Sequence, residues 1–165
     1  MKEKSKNDIE VQRTEEFVNE LKERVVNEEK CPTDFAVSIC EFLSNERIYG
    51  LRAFSDGLME LDVSRYWFND EQKRKFGQIL VVKYPKFNVE TTRMLALTYL
   101  RNTVVPEKIG EIFLGIWKVQ TTLFEPVGEI VWELHHMLRR GEISGQMAGK
   151  IKNEIKELAQ SKTAE

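Results

Sequence analysis

The sequence predicts an all-α protein of about eight helices, arranged either as a stack of αα-hairpins or as an irregular helical bundle. Three observations carry that prediction. Apolar residues recur at spacings of three and four, which puts them on one side of successive helices. No segment alternates with period two for long enough to read as a strand. A chain of 165 residues with 4 Pro and 9 Gly is poor in helix breakers. At this length about two-thirds of the unfolded surface can be buried, so one domain needs no metal or disulfide. The expected organisation is a single helical domain over 8–160 between flexible ends, 1–7 and 161–165.

The first helix is predicted over 8–30. Val11, Val18 and Val25 recur every seven residues, with Phe17 and Leu21 beside them on an otherwise charged rod. Pro32 interrupts it. Thr33 is positioned to cap the next helix, with Asp34 favourable in its first turn. Phe35, Ile39, Phe42 and Leu43 then share a face. After a break near Ser44, a helix over 47–61 aligns Leu51, Phe54, Leu58 and Leu61. Residues 63–69 read as a connector.

Asn69 caps a helix whose first turn holds Asp70 and Glu71, two acids suited to the positive helix end. Phe76, Ile79, Leu80 and Val82 are its core candidates, and Pro85 ends it. Asn88 opens a helix with Thr92, Leu95, Ala96 and Tyr99 on one side and Leu97 and Leu100 at the edges. Pro106 and Pro126 sit at the starts of helices over 107–122 and 127–140. Gly141 is the C-cap of the second, and the last helix runs over 144–160.

Six of these helices form three pairs, 33–45 with 47–61, 70–84 with 88–101 and 107–122 with 127–140, whose starts are spaced by 37 residues. Phe76 and Ile79 correspond to Phe113 and Ile116 at that offset. In period and element order the chain loosely resembles a HEAT-like stack, with its first and last helices as caps.

The charge pattern narrows function. A total of 25 bases and 27 acids leaves −2, too small an imbalance to point to a partner class. The distribution is less even. Residues 8–30 carry eight acids against four bases, and residues 70–101 carry seven bases against three acids. The N-terminus has no apolar leader region, and strictly apolar runs reach only four residues, as in Ile79–Val82. Neither a signal peptide nor a membrane span is expected, and a cytoplasmic setting follows.

Most chemistries lack the residues they need. His135 and His136 are the only histidines, adjacent and about 100° apart on a helix, so they do not share one metal from it. His135 is expected to flank the core, while Glu129, Glu133, His136 and Arg140 form a solvated stripe. A single Glu-x-x-His does not make a di-iron site. Cys31 and Cys40 have neither metal nor redox spacing. Cys31 at a helix start has the setting of an activated thiolate, but an incidental loop cysteine is the simpler reading. No Gly-rich phosphate loop occurs. No cofactor, metal or catalytic residue is expected.

Two segments remain as candidate partner surfaces. One is the acidic face of the first helix, Glu15, Glu16, Glu20 and Glu23. The other is Tyr66, Trp67 and Phe68 beside Lys73, Arg74 and Lys75. Aromatics next to cations make protein hot spots, and they also stack bases while neutralising phosphates. The expectation is a small helical protein-binding module, an adaptor, inhibitor or immunity-type protein. The alternative is a nucleic-acid-binding accessory protein using residues 66–101.

Overall fold

The structure is a computed structural model that describes residues 5–103, 135–141 and 143–163. It is all-helical, and no strand occurs among the described residues. The helices are α1 (Lys6–Asn27), α2 (Thr33–Ser44), α3 (Arg52–Val63), α4 (Asp70–Lys83), α5 (Glu90–Thr103) and α6 (Gly145–Thr163). Short 3₁₀ turns at Glu46–Ile48, Arg65–Trp67 and Tyr84–Lys86 follow α2, α3 and α4. The chain divides into two compact units, Met1–Tyr99 and Leu100–Glu165.

In the first unit α1 packs on α3 and α2 on α4. Local chemistry starts and stops these helices. Ser5 and Asp8 form a reciprocal capping box at the start of α1, and Asn69 and Gln72 form another at the start of α4. Pro32 itself, rather than Thr33, is the N-cap of α2, and no side chain caps that end. Thr33 is already helical, because the fixed φ of proline sets the helix entry one residue earlier. α3 begins at Arg52, five residues later than the spacing of leucines predicts. The intervening Tyr49 turns inward and donates its hydroxyl to Leu43 O at 2.6 Å, which closes a turn where a helix would run on.

The core of this unit is a train of aromatic rings. Phe17 stacks on Phe35 and Phe42, and Phe42 meets Phe54, which touches Tyr49 and Phe87. At the other end Phe35 meets Trp67 edge-on, followed by Phe68 and Phe76. Rings offset or edge-to-face at these separations add to the stabilisation from burial alone. Val82, a predicted core residue, is instead exposed. It lies about 160° round α4 from Leu80 and about 120° from Phe76, off the buried side. Leu97 and Leu100, expected at the edges of α5, are fully buried.

Residues 37 apart meet twice. Ser55 and Thr92 hydroxyls lie 2.9 Å apart, and Lys83 Nζ is 3.1 Å from Glu46 Oε2. The predicted helix over 107–122, and 127–134 of the next one, lie outside the described residues. With them lies the third hairpin of the expected stack.

In the second unit residues 135–139 are helical and end at Gly141, whose φ of +72° is the left-handed C-cap the sequence predicts. Ser144 Oγ then accepts from Met147 N at 3.1 Å and starts α6. His135, expected to flank the core, is exposed, and Met137, about 160° round the helix from it, is the fully buried residue. Glu129 and Glu133 lie outside the described residues.

Candidate functional site

α1 is amphipathic, and its two sides have different jobs. Thr14, Val18 and Leu21 are buried. Glu15, Glu16, Glu20 and Glu23 are all exposed. At 100° per residue, Glu16, Glu20 and Glu23 fall within about 60° of one another, opposite the buried stripe, with Glu15 to one side. Gln12 Nε2 donates to Glu16 Oε1 at 3.0 Å, and Glu20 lies 3.8 Å from Arg24. Glu15 and Glu23 have no ion-pair partner among the described residues.

Arg24 is committed elsewhere. Its guanidinium sits 4.3 Å from the centre of the Phe35 ring and its Nε donates to Glu28 at 3.0 Å. That hydrogen bond raises its pKa above the ordinary arginine value. The acidic face therefore rests on a helix pinned along its length.

The aromatic–basic segment is divided by the fold. Trp67 and Phe68 are buried, at 2% and 3% exposure, whereas Tyr66 is 75% exposed. The tryptophan is held by a clasp between two loops. Trp67 Nε1 donates to Glu28 O at 2.9 Å, Cys31 N donates to Trp67 O at 3.1 Å, and Gln72 Nε2 donates to Cys31 O at 3.1 Å. Of the expected partner-binding aromatics, only Tyr66 faces solvent. The burial has a physical reason, because the indole closes the end of the ring train and satisfies a backbone carbonyl.

The bases are similarly occupied. Lys73 lies 3.9 Å from Asp70, Lys75 3.4 Å from Glu71, and Lys83 and Lys86 share Glu46 at 3.1 and 3.9 Å. Arg93 is buried and donates to Phe87 O at 3.1 Å. Arg74 is exposed and has no ion pair among the described residues.

Grooves open on the first unit, two of which flank α2. One, of about 300 Å³, lies between α2 and α4 and is lined by Cys40, Ser44, Lys75, Gln78, Ile79, Val82 and Lys83. The other, of about 460 Å³, lies between α1 and α2, with Phe17 and Phe42 among charged residues. Neither lining includes a histidine. Among the described residues no three His, Cys, Asp or Glu side chains are grouped to hold a metal ion. No described helix is long and apolar enough to cross a membrane.

The cysteines are not activated. Burial pushes the Cys31 thiol up to about 11, against a weaker opposing pull from Arg24, and burial raises Cys40 as well. The neutral thiol is thus the form the fold accommodates. Its contribution to stability is complete below the ordinary thiol value of 9.0 and is lost as pH rises through 11. Wild-type protein is expected to lose Tm more steeply than Cys31→Ala between pH 8.5 and about 11, read by thermal melts. Parallel slopes for the two proteins would remove the assignment.

Sequence reasoning passed over three residues on this unit. Val26, Met59 and Val63 are exposed at 84%, 51% and 61%. Met59 and Val63 are one turn apart on α3, off the Phe54–Leu58–Leu61 face, and that off-face pair is the signal that marks them.

Compared with protein-family models, with curated proteins and with solved structures, the chain has no match in any of the three.

Proposed function

We propose that the chain is a small cytosolic protein-binding module, of adaptor, inhibitor or immunity type, whose acidic α1 face meets a basic surface on a protein partner. One observation carries the reading: Glu15, Glu16, Glu20 and Glu23 all face solvent on a helix whose opposite side is buried. Carboxylates held on a rigid element steer a cationic partner and set its orientation without paying to order a loop. Nucleic acid is the weaker alternative, because Trp67 and Phe68 are buried and Lys73, Lys75, Lys83 and Lys86 each have an acid nearby.

The test reverses the four charges. A Glu15→Lys, Glu16→Lys, Glu20→Lys, Glu23→Lys protein should bind its co-purifying protein partner roughly tenfold more weakly or worse, chiefly through a slower on-rate. Helicity by circular dichroism should stay unchanged. Undiminished affinity would reject this surface. Steeply salt-dependent binding of single-stranded or duplex probes by wild type would instead favour nucleic acid.

A further inference from the structure

The groove between α1 and α2 holds an aromatic ring that the core leaves half open. α1 packs on α3 and α2 on α4, and what joins α1 to α2 is a set of rings. Phe17 stacks on Phe35 at 5.7 Å and on Phe42 at 4.6 Å between ring centres. Rings of this size prop two helices apart, and the space beside them is the groove of about 460 Å³. Phe42 and Ile48 line it and are buried, whereas Phe17 lines it and is only half-buried. Among the described residues every other aromatic side chain except Tyr66 is buried. A half-open ring in a concavity offers an incoming aromatic side chain both stacking and desolvation, the two properties of an interface hot spot.

The charges at the groove define what the ring's neighbours should be. Glu10 and Arg13 line it from α1, Glu41 from α2 and Arg47 from the 3₁₀ turn that follows α2. Arg47 is committed to Glu10 at 3.6 Å. Glu41 is exposed and has no ion pair among the described residues. Glu20 and Glu16 lie about 60° and 100° round α1 from Phe17, on the side away from buried Thr14, Val18 and Leu21. The acidic face of α1 thus borders the groove on one side, and Glu41 stands on the other wall. Arg13 is the lining base without an ion pair among the described residues, and a guanidinium there can stack on an aromatic ring. An aromatic side chain flanked by cations complements this pattern: ring on Phe17, one cation toward Glu16 and Glu20, another toward Glu41.

We propose that the α1/α2 groove seats an aromatic side chain from a basic segment of the protein partner, stacked on Phe17. This rests on the acidic-face reading above and names the anchor that accompanies the partner's cations. The probe is the peptide Lys-Lys-Trp-Lys-Lys, compared with Lys-Lys-Ala-Lys-Lys of equal charge. Titration followed by amide chemical shifts should show saturable changes at Phe17, Ser38, Glu41 and Phe42 with the tryptophan peptide, and about tenfold weaker binding of the alanine peptide. Ser38→Trp puts a large side chain into the groove from its lining and leaves the α1 carboxylates in place. It should weaken the tryptophan peptide about tenfold with an unchanged helical spectrum. Glu41→Lys, a change at an exposed position, should weaken it about threefold. Equal binding of the two peptides, shifts confined to the outer face of α1, full affinity in Ser38→Trp, or no saturable binding each overturn the anchor. If the co-purifying partner is lost on α1 charge reversal but binds Ser38→Trp at full strength, the acidic-face reading stands and the groove anchor falls. The opposite pattern keeps the groove and removes the α1 face.

Discussion

Trp67→Ala is expected to destabilise the first unit by roughly 3–5 kcal/mol, the usual range for deleting a buried tryptophan. Trp67 is 2% exposed and meets Phe35 at 6.0 Å and Phe68 at 5.4 Å between ring centres. Its removal opens a cavity at one end of the ring train and leaves Glu28 O without the indole donor. Trp67→Phe keeps most of the ring contact and loses the hydrogen bond, so its cost should be nearer 1–2 kcal/mol. Urea denaturation followed by far-ultraviolet circular dichroism compares the two. Equal midpoints for Trp67→Ala and wild type would mean that the clasp between the α1–α2 and α3–α4 connections does not hold this unit together. Because domain stabilities are typically about 5–15 kcal/mol, a loss of this size removes a large share of the total.

Gly57→Leu is expected to cost about 3 kcal/mol or more through overpacking. A Cβ at this position would lie 2.5 Å from Phe42 Cζ and 2.8 Å from Cε1, closer than real Cβ contacts come. The Phe42 ring has little freedom to move, because it is 7% exposed and lies between Phe17, stacked on it at 4.6 Å, and Phe54, tilted against it at 5.2 Å. Gly57→Ala is the sharper test, since two effects oppose. Helix propensity favours alanine by about 1 kcal/mol, whereas the clash disfavours it by about 1–3. The ring stack decides the sign, and net destabilisation near 1 kcal/mol is expected from the same denaturation measurement. A stabilised Gly57→Ala would show that α1, α2 and α3 do not converge so closely at this glycine.

How much was legible follows from the range of each interaction. Asn69 as a cap, Asp70 and Glu71 in the first turn of α4, and Gly141 as a left-handed terminus were readable because each acts within a turn of its own position. The late start of α3 was not, because the inward turn of Tyr49 is completed by Leu43 O and by the rings of Phe54 and Phe87. At the candidate site, the exposure of Glu15, Glu16, Glu20 and Glu23 agrees with the phase of the valine stripe on α1. The aromatic connector was ambiguous, since Tyr66, Trp67 and Phe68 have no helical phase to say which ring turns inward.

By itself the sequence determined the helical class, the apolar faces and most helix ends, because periodicity and capping are local. Tertiary structure decided which rings are core and which charges already have a partner nearby. Those outcomes depend on groups far along the chain: Glu28 O for Trp67, 39 residues away, Cys31 O for Gln72, 41 away, and Glu46 for Lys83, 37 away. A side chain is silenced or left available by what the fold brings to it, and that proximity is not written in its neighbours.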